Sequence, residues 1–323
     1  MITYILRRIL ISIPLIFAIT LMTFYLMHAT PGNYFDAIKL NPQISAETIA
    51  RYEKLYHLDQ PLFAQYLAWA KNLFKGEFGY SFFYNVSVAK LIGSRIAATL
   101  LLGLASLIFT WLVAIPLGIW AAVRRNQFID RLLSFLSYVG LSLPSFFLAI
   151  VLLYVVSQTG GLPLGGIRSA RYDDLSWAGK IFDQLKHLVI PTVVLSVGSI
   201  AGLQRIMRGN MLAVLRQQYI LTARAKGLPE NRVIYRHALR NAINPLITIF
   251  GYELSGLLSG AALTEVICSW PGIGSLMLTA MRSKDAYLVM ASMLMGSVLL
   301  LLGNLIADIL LALSDPRIRY ERK

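Results

Sequence analysis

Apolar runs long enough to cross a bilayer as helices, each near or above the roughly 20 residues this requires, recur along the chain. They lie at about Ile9 to His28, Ala97 to Val123, Leu132 to Val156, His187 to Met207, Leu246 to Val266 and Ala286 to Leu313. Backbone polar groups in lipid must be satisfied within the segment, so the pattern predicts an all-α polytopic membrane protein with six transmembrane helices. Pro14, Pro116, Pro144 and Pro191 fall inside these runs. They are expected to kink the helices rather than break them, because neighbouring helices can satisfy the freed carbonyls.

Two polar intervals interrupt the pattern. Residues 29–96 leave the membrane after the first span. Helical periodicity there predicts elements at about Ser45 to Tyr56, with Ser45 as N-cap, and Pro61 to Phe74. Tyr66, Trp69, Phe74, Phe78, Tyr80 and Phe82 add an aromatic layer, expected at an interface and in local packing. The second interval, Leu215 to Pro245, is strongly basic. A Gly227-Leu228-Pro229 corner divides it into two short helical arms, since Gly suits the position after a helix end and Pro the first position of the next. Ala223 and Gly227 stand four apart, which leaves one face nearly bare, as a docking surface or a tight internal corner. Arg232, Arg236 and Arg240 recur every four residues and share one side of the second arm. That stripe either snorkels toward anionic head groups or meets an acidic partner.

Composition agrees with the pattern: 57% of residues are hydrophobic and only 14% charged, with a mean hydropathy of +0.63. The formal charge of +14 would point to nucleic acid in a soluble chain, but its distribution matters more. With the amino terminus inside, seventeen basic residues and four acidic ones fall on the cytoplasmic side, against thirteen and ten outside. This asymmetry predicts that both termini are cytoplasmic. The first span follows Arg7 and Arg8 and is too long for a signal-peptide core, so it is read as an uncleaved helix.

Candidate chemistry is sparse. Gly198 and Gly202, and likewise Gly256 and Gly260, have the spacing that lets membrane helices approach closely. Glu253 and Asp308 lie within spans, Asp308 on one face with Asn304. Charge there is costly, so an ion relay stands beside a purely hydrogen-bonding role. The adjacent Asp173 and Asp174 lack further spaced ligands. The four histidines are scattered, and Cys268 is the lone cysteine, so no metal site is expected. No phosphate-binding loop of the G-x-x-x-x-G-K-[ST] type and no nucleophile elbow occur, so no catalytic residues are assigned and energy must come from elsewhere.

The basic interval resembles the cytoplasmic E-A-A-x-x-x-G loop of ABC-importer permeases. Ala223 and Gly227 match that signature, while Leu221 and Thr222 replace its Glu and first Ala, and Arg240 its closing Pro. The wording T-A-R-A-K-G-L-P and R-H-A-L-R-N-A is similar to the first-permease type of the dipeptide/oligopeptide (peptide/nickel) branch. Three further runs resemble it too: L-D-Q-P with the later G-E-x-G-x-S at Gly76, Glu77, Gly79 and Ser81; E-x-x-x-x-W-P-G-I-G at Glu265 to Gly274; and Asp315 to Tyr320. The resemblance implies a first transmembrane helix over 1–28, an external segment over 29–96, and a five-helix permease core over 97–323. The core would include a cytoplasmic coupling loop over 208–245 whose helical hairpin meets the ATPase at Ala223, Arg224, Ala225, Lys226, Gly227, Leu228 and Pro229.

It further implies a non-enzymatic subunit in a bacterial inner membrane, forming half of a translocation path for peptides. No cofactor is expected on this chain, with ATP and Mg on partner subunits. The implied partners are a second homologous permease, two ATP-binding subunits and an external solute-binding protein. Relatives of the branch carry peptides, nickel complexes, glutathione or oligosaccharides. A self-sufficient ion-coupled carrier using Glu253 and Asp308 is the alternative.

Overall fold

The computed structural model describes residues 2–29, 47, 60–247, 249–250, 253 and 262–314. In chain order the elements are α1 (Ile2–Ala29), α2 (Leu62–Leu73), β1 (Tyr80–Ser81), β2 (Val86–Ser87), α3 (Val88–Val123), α4 (Phe128–Ser142), α5 (Ser145–Thr159), α6 (Trp177–Leu215) and α7 (Gln218–Ala225). A short second arm follows α7, and then come α8 (Ala262–Ile267), α9 (Ile273–Arg282) and α10 (Ala286–Ser314). Among the described residues, α1, α3, α6 and α10 are long and apolar enough to cross a membrane. The predicted helix at Ser45 to Tyr56 and most of the run Leu246 to Val266 lie outside the described residues.

The run Leu132 to Val156 is two helices rather than one kinked span. α4 and α5 meet at 104°, and together they would make a fifth span. Pro144 is the cause. It disfavours helical dihedrals at the residue before it, and Leu143 (ψ 122°) and Pro144 (ψ 133°) are both extended. The expectation of a mere kink therefore fails here, whereas Pro14, Pro116 and Pro191 do lie within continuous helices.

The chain forms two compact units, Met1–Thr99 with Pro271–Leu301, and Leu100–Trp270 with Leu302–Lys323. In the first, Pro61 starts α2, and Tyr66 and Trp69 turn inward from it to pack with Phe24, Met290 and Leu294. Their polar ends are satisfied. The Tyr66 hydroxyl lies 2.9 Å from the Thr20 hydroxyl, and Trp69 Nε1 donates to the Phe78 carbonyl at 3.1 Å. These aromatics are thus core rather than belt, while Phe74 is exposed.

The G-E-x-G-x-S run closes this unit. Gly76 and Gly79 hold φ of 78° and 101°, and a Cβ at Gly79 would lie 2.9 Å from the Tyr287 ring, so only Gly fits. Ser81 then reaches Asp285, which is fully buried just before α10. The carboxylate accepts from Ser81 Oγ at 2.7 Å, Phe83 N at 3.2 Å and Leu288 N at 3.3 Å, so one side chain caps a helix and clips the β1–β2 turn. Burial pushes this carboxyl above the ordinary carboxylate value, while those hydrogen bonds pull the other way.

In the second unit α6 is the central post. Ser176 caps it by accepting from Gly179 N, and α4 and α5 pack along it. Gly140 and Gly118 make the close approaches. A Cβ at Gly140 would sit 3.3 Å from Ala201 and Val197, and one at Gly118 would sit 2.7 Å from Met207 and 2.8 Å from the Gln204 carbonyl.

Candidate functional site

The basic interval folds as a hairpin at the end of α6. α7 terminates in a Schellman turn: Gly227 N donates to the Arg224 carbonyl at 2.9 Å and Leu228 N to the Ala223 carbonyl at 3.4 Å. Gly227 has φ 73°, a conformation that disfavours any residue with a Cβ. Pro229 then starts the second arm, which runs as Glu230–Arg232, a π-helical turn over Val233–Ala238, and Leu239–Ala242.

One side of the hairpin is apolar and buried. Ile220, Ala223, Val233, Ile234, Ala238, Ala242 and Leu246 pack with Ala114, Ile119 and Ala122 of α3 and Leu203, Met207 and Met211 of α6. Ala223 is therefore part of an internal corner, because its small side chain lets α7 sit down on this floor. The arms are further tied by polar contacts that the sequence reading missed. Asn241 Nδ2 donates to the Tyr219 hydroxyl at 2.9 Å, and Asn210 Nδ2 to the Ala242 carbonyl at 3.2 Å. An Asn at the end of an apolar helix and another near the close of a helical arm are the signals that could have indicated such ties.

The opposite side is exposed and cationic. Arg216, Arg224, Ala225, Lys226, Gly227, Pro229, Arg232, Arg236 and Arg240 are all exposed, and Leu228 is half-buried. Tyr219, Leu221 and Tyr235 join them at 44%, 47% and 60% exposure, so a patch of large side chains that a folded chain would otherwise hide lies beside the cations. Arg224 binds Glu230 through both nitrogens, Nη2 to Oε1 at 2.6 Å and Nε to Oε2 at 3.2 Å, which holds the guanidinium above its ordinary value. This pair spans the Gly227 corner and leaves the other cations available.

Residues 114–320 match the family described as the binding-protein-dependent transport system inner membrane component, and residues 1–103 match the N-terminal region described for the same membrane components. The chain belongs to this family. Among its relatives, the oligopeptide transport system permease protein AppB of Bacillus subtilis is 41% identical over 99% of this chain and 100% of its own length. The dipeptide transport system permease protein DppB of Escherichia coli K12 is 35% identical over the whole of both chains. A di/tripeptide transport system permease protein of Pseudomonas aeruginosa is 36% identical, also over both whole chains.

For this transport component, the remaining predicted positions fall apart from the hairpin's exposed side. Glu253 accepts a 2.8 Å hydrogen bond from Trp111 Nε1 and is partly buried, and Trp111 also stacks edge-on against Phe250. That is the hydrogen-bonding role expected of a carboxyl inside a helix bundle, and the self-sufficient ion-coupled carrier finds no support. Asn304 and Asp308 are half-buried on α10. Among the described residues, a Cβ at Gly198 or Gly202 would meet no atom within 4 Å, whereas Gly118 and Gly140 do make close approaches. Gly256 and Gly260 lie outside the described residues. Asp173 and Asp174 form a single 3₁₀ turn. Among the described residues, no three His, Cys, Asp or Glu side chains gather as a metal set.

Proposed function

We propose that this chain is one of two related membrane subunits of an ATP-binding-cassette importer for di- or oligopeptides, and that the hairpin over 218–242 is its coupling element. The observation that carries the coupling role is the hairpin's two-sidedness. Its inner face is locked to α3 and α6 by a continuous apolar floor, while its outer face offers exposed aromatics and cations of which, among the described residues, only Arg224 has a carboxylate partner. A push on the outer face is therefore delivered to two membrane helices rather than absorbed in a loose loop, because close-packed interiors transmit displacement. The peptide substrate follows from relatives of matching length whose names specify oligopeptide, dipeptide and di/tripeptide transport.

On this reading ATP and Mg are bound and spent on two partner subunits, an external binding protein delivers the peptide, and a second permease completes the path. The hairpin and both termini face the cytoplasm of a bacterial inner membrane, a reading supported by the bias of basic residues toward that side. Six spans complete the permease, with α4 and α5 as a broken third span and the fifth over Leu246 to Val266. Ala223, Arg224, Ala225, Lys226, Gly227, Leu228 and Pro229 form the corner that the ATPase meets.

Affinity purification of the tagged chain from its own host in mild detergent tests the assembly. Nucleotide-binding subunits and a second permease are expected in the eluate, and a homo-oligomer lacking any ATPase would overturn the proposal. Gly227→Asp tests the corner: uptake of a labelled peptide is expected to be lost with the chain still inserted in the membrane. Normal uptake in that variant removes the hairpin from the mechanism.

A further inference from the structure

A cavity of about 490 Å³ opens between α4 and α6, lined by Ser134, Tyr138, Gly202, Arg205, Ile206 and Arg208. It is distinct from the hairpin. Two guanidinium groups face it, and they are differently engaged. Arg208 is held by Asp130 through Nε to Oδ1 and Nη2 to Oδ2, the latter at 2.8 Å, and Asp130 also accepts from Asn126 N at 2.9 Å. Arg205 instead lies over the Tyr138 ring, its Cζ 4.7 Å from the centroid, and among the described residues it has no carboxylate partner. The local balance is one uncompensated positive charge, positioned on an aromatic platform. The hydroxyls of Ser134 and Tyr138 add two donors that no side chain or backbone group of the described residues occupies. Gly202 contributes no side chain, which keeps the cavity open.

The surroundings identify the kind of anion. Ile206, which lines this cationic recess, and Phe135, adjacent in sequence to Ser134 on α4, are exposed apolar side chains. A soluble anion would gain nothing from them, whereas a phospholipid presents a phosphate and acyl chains together. The level in the membrane agrees. Arg205 lies 18 residues after His187, where the fourth apolar run begins, which at about 1.5 Å per residue is roughly 27 Å, close to the thickness of the hydrocarbon core.

We propose that this cavity is a binding site for the phosphate of an anionic phospholipid, with Arg205 supplying the charge, Tyr138 and Ser134 donating hydrogen bonds, and Arg208 fixed by Asp130 as the wall. Placing it in the cytoplasmic leaflet rests on the orientation proposed above. The site itself does not.

Native mass spectrometry of the purified complex in detergent, supplied with dioleoylphosphatidylglycerol or with the zwitterionic dioleoylphosphatidylcholine, tests it. The wild type is expected to retain phosphatidylglycerol in preference. Arg205→Gln should lower that retention by about fivefold, the effect of one Lys or Arg near an anionic surface. Tyr138→Phe, which keeps the ring under the guanidinium and removes one donor, should lower it less. Equal retention by Arg205→Gln and wild type would overturn the proposal. Displacement of the lipid by inorganic phosphate would do so as well, by assigning the cavity to a soluble anion, as would recovery of Arg205 cross-linked to the second permease with no lipid bound. Lipid counts do not depend on ATPase subunits being recovered, so failure of the importer reading remains distinguishable from failure of this one.

Discussion

The β1–β2 turn and the 218–242 hairpin are both short reversals carried by long membrane helices, yet they are held by opposite means. The first is clipped by a buried carboxylate: Asp285 accepts from a side chain and a backbone amide of the turn while capping α10. The second rests on an apolar floor, and its one ion pair, Arg224 with Glu230, lies in solvent at 39% and 53% side-chain exposure. Buried polar contacts fix one geometry because each unmet donor is costly. An apolar floor holds firmly too, yet leaves the polar side of the hairpin free for a partner. The difference separates an element closed by buried polar contacts from one whose polar side stays open, as the proposed coupling role needs.

Substitutions at five positions and one titration sharpen that contrast. Asp285→Ala should have the largest effect, a loss of about 3 kcal/mol, since it strands a buried hydroxyl, a buried amide and a part-buried one. A lowered Tm of the purified protein and reduced accumulation in membranes would report it. The same carboxyl makes a pH prediction. Its folded value is raised by burial, so its contribution to stability is complete below the unfolded value and declines as pH rises through the folded one. In Asp285→Asn, which removes the titrating group and keeps one of the two acceptor oxygens, Tm against pH in the acid range should be flatter than in the wild type.

Gly118→Leu comes next, at about 1–3 kcal/mol, because the new side chain meets Met207 and the Gln204 carbonyl under the hairpin's floor. Tm should fall and uptake with it, whereas Gly198→Ala, at a position open among the described residues, should leave the Tm of the isolated subunit unchanged or higher. Gly227→Asp should cost only about 1 kcal/mol locally, because Asp is penalised in the left-handed region less than most residues with a Cβ. Its loss of uptake should therefore far exceed its loss of Tm. Smallest of all, Arg224→Ala should shift stability by no more than about 0.5 kcal/mol, the usual worth of an exposed pair. A large fall in Tm there would mean the hairpin is held by its charges, and the contrast drawn above would not stand.

Much of the hairpin can be read directly from the letters, because its determinants are local. Gly227 and Pro229 dictate a helix end and a helix start through backbone sterics alone. The G-E-x-G-x-S run was visible as a motif, but its reason was not. Ser81 needs Asp285, 204 residues away, and Gly79 needs the Tyr287 ring. The glycines show how spacing and contact differ. Spacing singles out Gly198 and Gly202, while among the described residues the close contacts are at Gly118 and Gly140, since small residues mark where helices can approach and only the packing decides where they do. Pro144 was mistaken for a kink because the apolar run continues through it, and hydropathy carries no information on dihedrals.

By itself, then, the sequence determined that this is a helical membrane protein, which side its basic residues favour, where the hairpin turns, and to which family its motifs belong. Each of these depends on composition, periodicity or the conformational preferences of adjacent residues, all of which act over a few turns of chain. Tertiary structure alone decided that Ala223 faces inward and the cations outward, that Glu253 is met by Trp111, that α4 and α5 part at 104°, and that Arg205 stands beside a cavity without a carboxylate. Those are properties of what two distant segments present to each other, and no local preference encodes them.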